Sequence, residues 1–504
     1  MSNDPKVALL PLDERPVNTG LVQEIAQIAG YHCERPPDDI LPNFRTPGNT
    51  DALADWLKRQ SEDVDVIVAS LDTLVYGGLI PARTTDNPVE ESVGRLHTLR
   101  EIHQKRPDLP ILAVSLVTRA SDSYVSVEEP EYWSDWGRDL HHHGGATHRT
   151  WVGKGEDGAG VAKRGVPSEV LEDFARRRLR NHIVNLAALQ MRWDHVLDYL
   201  AITADDTAEF SAGSAEQQWL EYWRIFGAPT LQVVGYPGAD ETGSVLMARA
   251  ITTTTETEPR IRVVTGSPES LRLIPPYENG PIGESITRQI LAAGGKEVDE
   301  EEADMVLVVH GPDPDRGDNG STQPPSSDPG ETAATVVAVR DALATGLPVI
   351  LADLRFANGG DVQLIEALAE AGLLSQLAAY GGWNTAGNAL GGAVATGVAI
   401  VAGALNGTLD PRTQQIALRR RLMDDVAYQA LIRRDLMMGV FEGSFGPVPS
   451  EVLEVAAAHT TAAMNEYLAR WGLADGYSVE SVDFPWKRSF EVDIHFASES
   501  GRDL

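Results

Sequence analysis

Short apolar runs alternate with helix-like segments through the first half of this chain, and this alternation constrains the fold more than any other feature of the sequence. Each run has the length of a strand and is largely apolar, as a strand buried on both faces must be. Between the runs, apolar residues recur every three or four positions, most clearly in 168–194 and 215–226. Such alternation predicts βαβ units around a parallel sheet. The predicted strands are 7–10, 31–33, 64–70, 111–117, 197–203 and 230–235.

A second series of the same kind follows the polar stretch TTTTETE at 252–258, which we interpret as a linker. Its predicted strands are 261–265, 305–309 and 348–353, and its predicted helices lie near 283–293, 331–345 and 362–371. Two long amphipathic helices near 412–438 and 449–472 precede a pair of strands around 477–482 and 490–496. Because 504 residues are too many for one core, we expect several domains. The predicted α/β protein has an N-terminal domain over 1–255 with a barrel-like or doubly wound parallel sheet, a flavodoxin-like domain over 256–408, and a helical cap with closing strands over 409–504.

Polar and charged side chains follow the predicted strands of the first domain. They are Asp13, Glu14, Arg15 and Asn18 after the first strand, Asp72 and Tyr76 after the third, Arg119 after the fourth, Asp205 and Asp206 after the fifth, and Asp240 and Glu241 after the sixth. Charges at the end of a buried strand are costly unless they face a cleft, and parallel sheets bind ligands at the carboxyl ends of their strands. We therefore expect Asp13, Asp72, Asp205 and Asp240 to face one cleft. The competing interpretation of each cluster is a local ion pair or a helix cap.

The second domain offers groups that complement a cleft lined by acids. Asp353, Arg355 and Asn358 follow a predicted strand, and the motif YGGWNTAGN then supplies Trp383, Asn384 and Asn388. An aromatic face beside amide groups suits a sugar, whose ring stacks while its hydroxyls form hydrogen bonds. We expect this motif to close the cleft from the second domain. The alternative is that Trp383 is a buried anchor.

The stretch 124–165 lacks an apolar period and contains HHHGGATHR, so we interpret it as a functional loop or lid. Adjacent histidines point in different directions, which makes a solvated loop the simpler interpretation and a metal site the alternative.

Composition excludes several classes of partner. The net charge of −32, from 74 acidic and 42 basic residues, repels nucleic acid and anionic membranes. A salt-rich cytoplasm and a GC-rich genome both remain open as its origin. The single cysteine, Cys33, excludes an internal disulfide and any multi-cysteine metal site. The sequence has no run of eighteen apolar residues and no signal-peptide pattern at its start, so we expect a cytoplasmic protein. A homo-oligomer remains possible.

Six motifs taken together support a family resemblance. They are LPLDERPVN, SLDTLVYGGLIPAR, ITADDT, YPGADETGSVLMAR, LADLRFANGGD and YGGWNTAGNALG. With these motifs in order along nearly its whole length, the chain resembles the bacterial and archaeal family called domain of unknown function 4127. The resemblance implies one shared architecture for the two α/β domains and the cap, and it carries no activity.

The acid pairs lead to the functional hypothesis. Two adjacent carboxyl groups project differently, so one can be desolvated and protonated while the other stays ionised, as acid/base catalysis requires. We expect a glycosidase-type hydrolase in which Asp206 or Glu241 is the general acid and Asp205 or Asp240 is the nucleophile or orients a substrate amide. No cofactor is needed for this chemistry.

Two other functions remain open. One is a hydrolase whose divalent metal is held by Asp13, Asp72, Asp205 and Asp240, with a histidine from 141–148. The other is a sensor or binding protein that holds a small polar ligand unchanged.

Overall fold

The computed structural model describes residues 4–155, 165–227, 232–299, 302–320 and 324–497. Within these ranges the chain divides into two compact units that exchange segments. The first unit comprises Met1–Glu14, Tyr31–Ala250 and Tyr277–Gly280, and the second comprises Arg15–Gly30, Ile251–Pro276 and Pro281–Leu504.

Seventeen α-helices lie in the described part of the chain. They are α1 (Gly20–Ile28), α2 (Thr50–Gln60), α3 (Leu71–Tyr76), α4 (Leu79–Thr84), α5 (Val89–Arg95), α6 (His97–Lys105), α7 (Trp133–Trp151), α8 (Ser168–Trp193), α9 (Ala212–Phe226), α10 (Thr242–Thr255), α11 (Ile282–Ala292), α12 (Pro329–Leu343), α13 (Val362–Glu370), α14 (Ala386–Asn406), α15 (Pro411–Leu422), α16 (Arg433–Gly439) and α17 (Ser450–Arg470). A π-helical segment, Met423–Ile432, joins α15 to α16.

The first unit is built on a sheet of six parallel strands. They are β1 (Lys6–Leu10), β2 (His32–Glu34), β3 (Val66–Ser70), β4 (Ile111–Val117), β5 (Tyr199–Ala204) and β6 (Val233–Pro237), in the spatial order β2-β1-β3-β4-β5-β6. Strands β3, β4 and β5 are buried along their whole length, as their apolar sequences predict. The sheet is open, with β2 and β6 at its edges, so the doubly wound alternative is the one observed.

The second unit repeats this topology with five parallel strands. They are β7 (Arg260–Thr265), β8 (Lys296–Glu297), β9 (Met305–His310), β10 (Val349–Asp353) and β11 (Ala379–Gly381), in the order β8-β7-β9-β10-β11. In both sheets the first strand lies between the second and the third, which is the flavodoxin-like order. The connections reverse direction between the first and third strands, and the crevice there is the usual ligand position. The predicted parallel α/β fold class is confirmed.

The predicted C-terminal helices and closing strands are also present. Strands β12 (Val479–Asp483) and β13 (Asp493–Phe496) pair antiparallel. Their buried side chains share one hydrophobic core with β9, β10, α13, the π-helical segment and α17.

Helix α1 belongs to the second unit although it follows β1 of the first. It packs against α14 and α15 and buries Val22, Ile25 and Ile28. The backbone N–H of Asp410 donates to the carbonyl of Ile28 at 2.9 Å. The amphipathic pattern of α1 predicts a buried face but does not say which sheet receives it.

Helix α14 is the one described helix long and apolar enough to cross a membrane, with a mean hydropathy of 1.6. In the structure, 78% of that apolar window is buried, and the helix packs on β10, α11 and α1 as a core helix does.

One local prediction was wrong, and the predicted linker is partly helical. Trp133–Trp151, predicted within a loop, forms α7, because Trp133, Leu140 and His148 recur on one buried face while glycine and histidine between them hide the period. The polar stretch 252–258 begins inside α10, where the hydroxyls of Thr254 and Thr255 donate to the carbonyl of Ile251. Residues 156–164 of the predicted lid and 230–231 of the sixth predicted strand lie outside the described residues.

Candidate functional site

Asp205 and Asp206 stand at the carboxyl end of β5 and bind different arginines. Asp205 accepts a hydrogen bond from the guanidinium group of Arg83, on α4. Asp206 Oδ2 accepts one from Arg119 Nη1 at 2.8 Å, and Arg119 follows β4. Because β4 and β5 are neighbours in the sheet, two predicted clusters meet at one place.

Two glutamates complete this network. Arg119 donates through Nη2 to Glu128 at 2.8 Å and through Nε to Glu129 at 2.9 Å. Arg83 also reaches Glu128, at 3.3 Å. Four carboxyl groups therefore share two guanidinium groups. We call Arg83, Arg119, Glu128, Glu129, Asp205 and Asp206 the carboxylate network.

The network is open at one end. The side chains of Arg83 and Glu129 are 3% exposed, whereas 27% of the Asp206 side chain and 20% of the Arg119 side chain reach solvent. A ligand can therefore contact Asp206 directly, while the buried Arg83 and Glu129 hold the network in position.

The pKa of Asp206 is raised to about 6. Burial and the charge of Asp205 raise it, while Arg119 and Arg83 oppose the rise. Its backbone has a φ of 31°, in the left-handed region that is uncommon for a residue with a side chain. Such backbone outliers cluster at functional sites. Asp206 thus keeps its proton up to about pH 6, well above the range of an ordinary carboxyl group.

Asp72 stands at the topological switch point between β1 and β3 and interacts electrostatically with Asp205 and Arg83 of this network. Burial raises its pKa to about 7, with a smaller contribution from the charge of Asp205, and the N–H of Leu116 donates to its carboxyl group at 3.0 Å. The neighbouring Thr73 hydroxyl donates to the carbonyls of Pro11 and Leu12, which ties the ends of β3 and β1 together.

Two further arginines hold the backbone around the network. Arg45 donates to the carbonyls of Ser126, Val127 and Glu129 at 2.9 to 3.0 Å. Arg178 of α8 donates to the carbonyls of Thr118 and Arg119 and pairs with Glu216. Neither arginine follows a strand, so the criterion that selected Arg119 could not find them. Arg83 is the last residue of the motif SLDTLVYGGLIPAR, and that motif is the sequence signal that could have identified it.

Asp240 and Glu241 lie next to the β5 end. The N–H of Gly238 donates to the carbonyl of Ala204 at 2.9 Å, and Asp240 and Glu241 are 4% and 2% exposed. Burial raises the pKa of Glu241 to about 8, and the charges of Asp240 and Glu278 add to the rise. Glu278, which sequence reasoning missed, lies in Tyr277–Gly280, the segment that joins the first unit from far along the chain.

The remaining predicted residues of the first unit are Asp13, Glu14 and Tyr76. Glu14 accepts the N–H of Phe44 at 2.7 Å, and Asp13 is buried after β1. Tyr76 lines an open groove of about 560 Å³ together with Gly48, Asp86 and Arg95. None of the network carboxyl groups lines that groove, and we place the candidate site at the network because the paired titratable groups are there.

In the second unit, the predicted residues after β10 belong to a buried polar cluster. Asp353 accepts hydrogen bonds from the Tyr380 hydroxyl at 2.9 Å and from the N–H of Asp361 at 2.7 Å. Asp361 in turn bonds His310 at 3.2 Å, and Asp425 accepts the N–H of Gly382 at 2.7 Å. His310, Asp361 and Asp425 were not predicted. The only sequence signals for them are a histidine closing an apolar run and the acid pair in the π-helical segment.

Other predicted residues of the second unit make local contacts. Arg15 pairs with Glu491 at 3.1 Å and lies over the ring of Trp486, and Asn18 is buried at the start of α1. Arg355 is 4% exposed, and its Nε and Nη2 atoms have no hydrogen-bond partner among the described residues.

The described contacts around the YGGWNTAGN motif include several within the second unit. Asn358 donates to Asp318, and its N–H donates to the carbonyl of Asn384. Trp383 packs against Phe490. The hydroxyl of Thr385 caps α14 by accepting a hydrogen bond from the N–H of Asn388.

Among the described residues, no group of three or more histidine, cysteine, aspartate or glutamate side chains is placed to hold a metal ion. The alternative in which Asp13, Asp72, Asp205 and Asp240 chelate a metal therefore gains no support. In α7, His141 bonds the carbonyl of Ala120 at 2.7 Å.

No curated protein matches this sequence. The sequence model of the family described as "Protein of unknown function (DUF4127)" matches residues 7–495, nearly the whole chain, and the protein therefore belongs to that family.

Proposed function

We propose that this protein is a glycosidase-type hydrolase that acts on a carbohydrate or a similar polyhydroxylated small molecule. The observation that carries the proposal is the Asp205–Asp206 pair at the carboxyl end of β5. Its two adjacent carboxyl groups bind different guanidinium groups. Glycoside hydrolysis needs two carboxyl groups in different protonation states.

Asp206 is the better candidate for the general acid. Its pKa of about 6 lets it hold a proton up to about pH 6, and 27% of its side chain is exposed to an incoming ligand. Glu241, the other candidate, is 2% exposed. In the proposed reaction, Asp206 gives its proton to the leaving-group oxygen as the glycosidic bond breaks.

Asp205 is the proposed second carboxyl group. Its ion pair with Arg83 orients it beside Asp206. As a nucleophile it forms an ester with the anomeric carbon, which water then hydrolyses while Asp206 takes back a proton. As an orienting group it instead positions a substrate amide that makes this attack. In this proposal Asp72, whose pKa is raised in part by the charge of Asp205, binds a substrate hydroxyl.

The experiment is a screen of aryl glycosides, followed by Asp206→Asn on any substrate that is hydrolysed. The variant keeps the size of the side chain but removes the proton, so turnover of a phenyl glycoside should fall by about 10²–10⁴. Turnover of a 2,4-dinitrophenyl glycoside should fall far less, because that leaving group departs without protonation. Asp55→Asn, at an exposed position on α2, is the matched control.

Two results would contradict the proposal. Asp206→Asn with wild-type turnover on both substrates, at unchanged thermal stability, would remove Asp206 from the site. A glycoside that binds without being hydrolysed would favour a binding protein.

A further inference from the structure

A cavity of about 370 Å³ in the second unit is lined by the end of the π-helical segment, by α16 and by α17. Leu431, Ile432 and Ala463 form its apolar wall. The polar side chains that line it are those of Arg434, Asp435, His459, Glu466, Tyr467 and Arg470. Cavities that stay empty in proteins are apolar, and this volume lies in the range of small-molecule sites. The cavity is therefore a candidate binding site.

Helix α17 turns a face of its own toward this cavity. Its cavity-lining residues recur at the spacing of one helix face and are His459, Ala463, Glu466, Tyr467 and Arg470. The residues that α17 buries are Ala456, Thr460, Met464 and Leu468. Packing of the helix against the protein therefore does not account for the polar face, which meets the cavity instead.

Arg434 lacks the partners that a guanidinium group usually has inside a protein. It is partly buried, and its Nε and Nη2 atoms have no hydrogen-bond partner within the described part of the chain. The preceding Arg433 shows the usual arrangement, because its Nη1 donates to Gln429 at 3.1 Å and its guanidinium group lies over the ring of Phe490. Buried donors are nearly always bonded, and an unpaired charge is costly to bury. Arg434 thus places in the cavity wall a positive charge that forms no ion pair among the described residues.

The backbone next to Arg434 is also unusual. The π-helical segment runs for ten residues, and its last two, Leu431 and Ile432, line the cavity. π-helical backbone is rare, is mostly limited to single turns and occurs frequently at functional sites. A rare backbone conformation therefore ends at the cavity, and this observation is independent of the unpartnered guanidinium group.

The other charged groups of the cavity indicate what kind of molecule fits. Asp435 and Glu466 lie close enough to Tyr467 for their charges to raise its pKa, although burial is the larger cause. Arg470 already has an ion pair, at 3.0 Å, so Arg434 is the arginine left to a ligand. An anionic group matches Arg434, whereas hydroxyl groups match the two acids, because carboxylates only accept hydrogen bonds.

We propose that this cavity binds a small polyhydroxylated anion whose single carboxylate or phosphate group is held by Arg434. Sugar acids and sugar phosphates share this chemistry. The guanidinium group pairs with the oxyanion, and hydroxyl groups of the ligand donate to Asp435 and Glu466. Ligands with several anionic groups are excluded, because the two acids repel them. The inference does not rest on the proposed hydrolysis, since every residue that lines the cavity belongs to the second unit.

The test compares ligands that share a ring and differ in charge. Titration calorimetry of the full chain at physiological salt uses glucose, glucuronate and glucose 6-phosphate, and the corresponding galactose, galacturonate and galactose 6-phosphate. At least one of the four anions should bind more than tenfold more tightly than its neutral sugar, and the anion that binds distinguishes a carboxylate from a phosphate ligand. Arg434→Gln should weaken that binding by about 10- to 100-fold.

Two further variants control for charge and for folding. Arg272→Gln removes the same charge from an exposed position of the second unit and should leave the binding unchanged. Ala463→Leu fills the cavity without changing its charge and should abolish the binding. This second variant supplies the test if Arg434→Gln does not fold.

Arg434→Met separates ligand binding from a structural role. Methionine keeps the apolar stem and removes donors that have no partner, so the melting temperature of the ligand-free variant should equal or exceed that of the wild type. A fall of several degrees would show that Arg434 stabilises the fold and would overturn the inference. Equal affinity for the anions and the neutral sugars, absence of binding by all four anions, or wild-type affinity in Arg434→Gln would overturn it as well.

Discussion

The two units share one strand order but treat the carboxyl edges of their sheets differently. In the first unit, 27% of the Asp206 side chain is exposed, so one carboxyl group of the network can meet a ligand. In the second unit, the buried carboxyl groups of Asp353 and Asp361 accept hydrogen bonds from neighbouring groups. The same topology thus supports a candidate site at one edge and a largely closed polar core at the other, which shows that the fold by itself does not assign function.

The sharpest test of this comparison replaces one aspartate at each edge. Asp206→Asn should lower turnover on an unactivated substrate by about 10²–10⁴ with little change in thermal stability. Asp353→Asn should leave the turnover of folded protein near wild type and lower its thermal stability, because Asp353 orders buried groups. Both are checked by kinetics and thermal melting, and the reverse pattern would mean that the site lies in the second unit.

Glu241→Gln should change how stability depends on pH. The pKa of Glu241 rises on folding from its ordinary value of 4.5 to about 8, so the folded protein binds more protons between these pH values. Its contribution therefore lowers the stability of the wild type as pH rises from 4.5 to 8. The variant lacks this loss and should be more stable than wild type by roughly 3–5 kcal/mol at pH 9, and about equally stable at pH 4.

Denaturant unfolding across this pH range measures the effect. Glu284→Gln, which removes a charge from an exposed position on α11, is the control. If wild type and Glu241→Gln show parallel stability curves, Glu241 is ionised in the folded protein. That result would weaken the comparison between the carboxyl edges of the two sheets.

Asp361→Ala should destabilise the second unit by about 1–3 kcal/mol, because it leaves His310 Nε2 without its partner and removes the side chain that caps α13. Hydrogen exchange should show the loss in β9 and α13. Faster exchange confined to the first unit would contradict a structural role for this cluster.

The smallest expected effect concerns the pH profile. Turnover should decline above pH 6 as Asp206 loses its proton. Arg119 opposes the rise in the pKa of Asp206, so Arg119→Gln should move this decline upward by about one pH unit, a change of about tenfold in the ionisation constant. Arg176→Gln, at an exposed ion pair on α8, should leave the profile in place. A downward shift in Arg119→Gln would show that another group controls the decline.

Sequence patterns predicted the six strands of the first sheet and β7, β9 and β10 of the second, because burial on both faces leaves a continuous apolar run. They missed β8 and β11, which are only two and three residues long. The position of Asp205 and Asp206 after such a run was also enough to select them. Arg83 and Glu278 were missed because their relation to the pair depends on contacts between distant parts of the chain. The same limit applies to α1, whose pattern records a buried face but not its partner.

The exchange of segments between the units also affects the order in which the chain can fold. Arg15 pairs with Glu491 across a separation of 476 residues, and α1 packs on α14 and α15. Contacts so distant along the chain close slowly, because the intervening loop entropy must be overcome first. During synthesis α1 is made long before α14 and α15, so it stays without its packing partners until they too have left the ribosome. The second unit therefore completes its core late, and the exposed apolar face of α1 is a point at which a nascent chain depends on protection from aggregation.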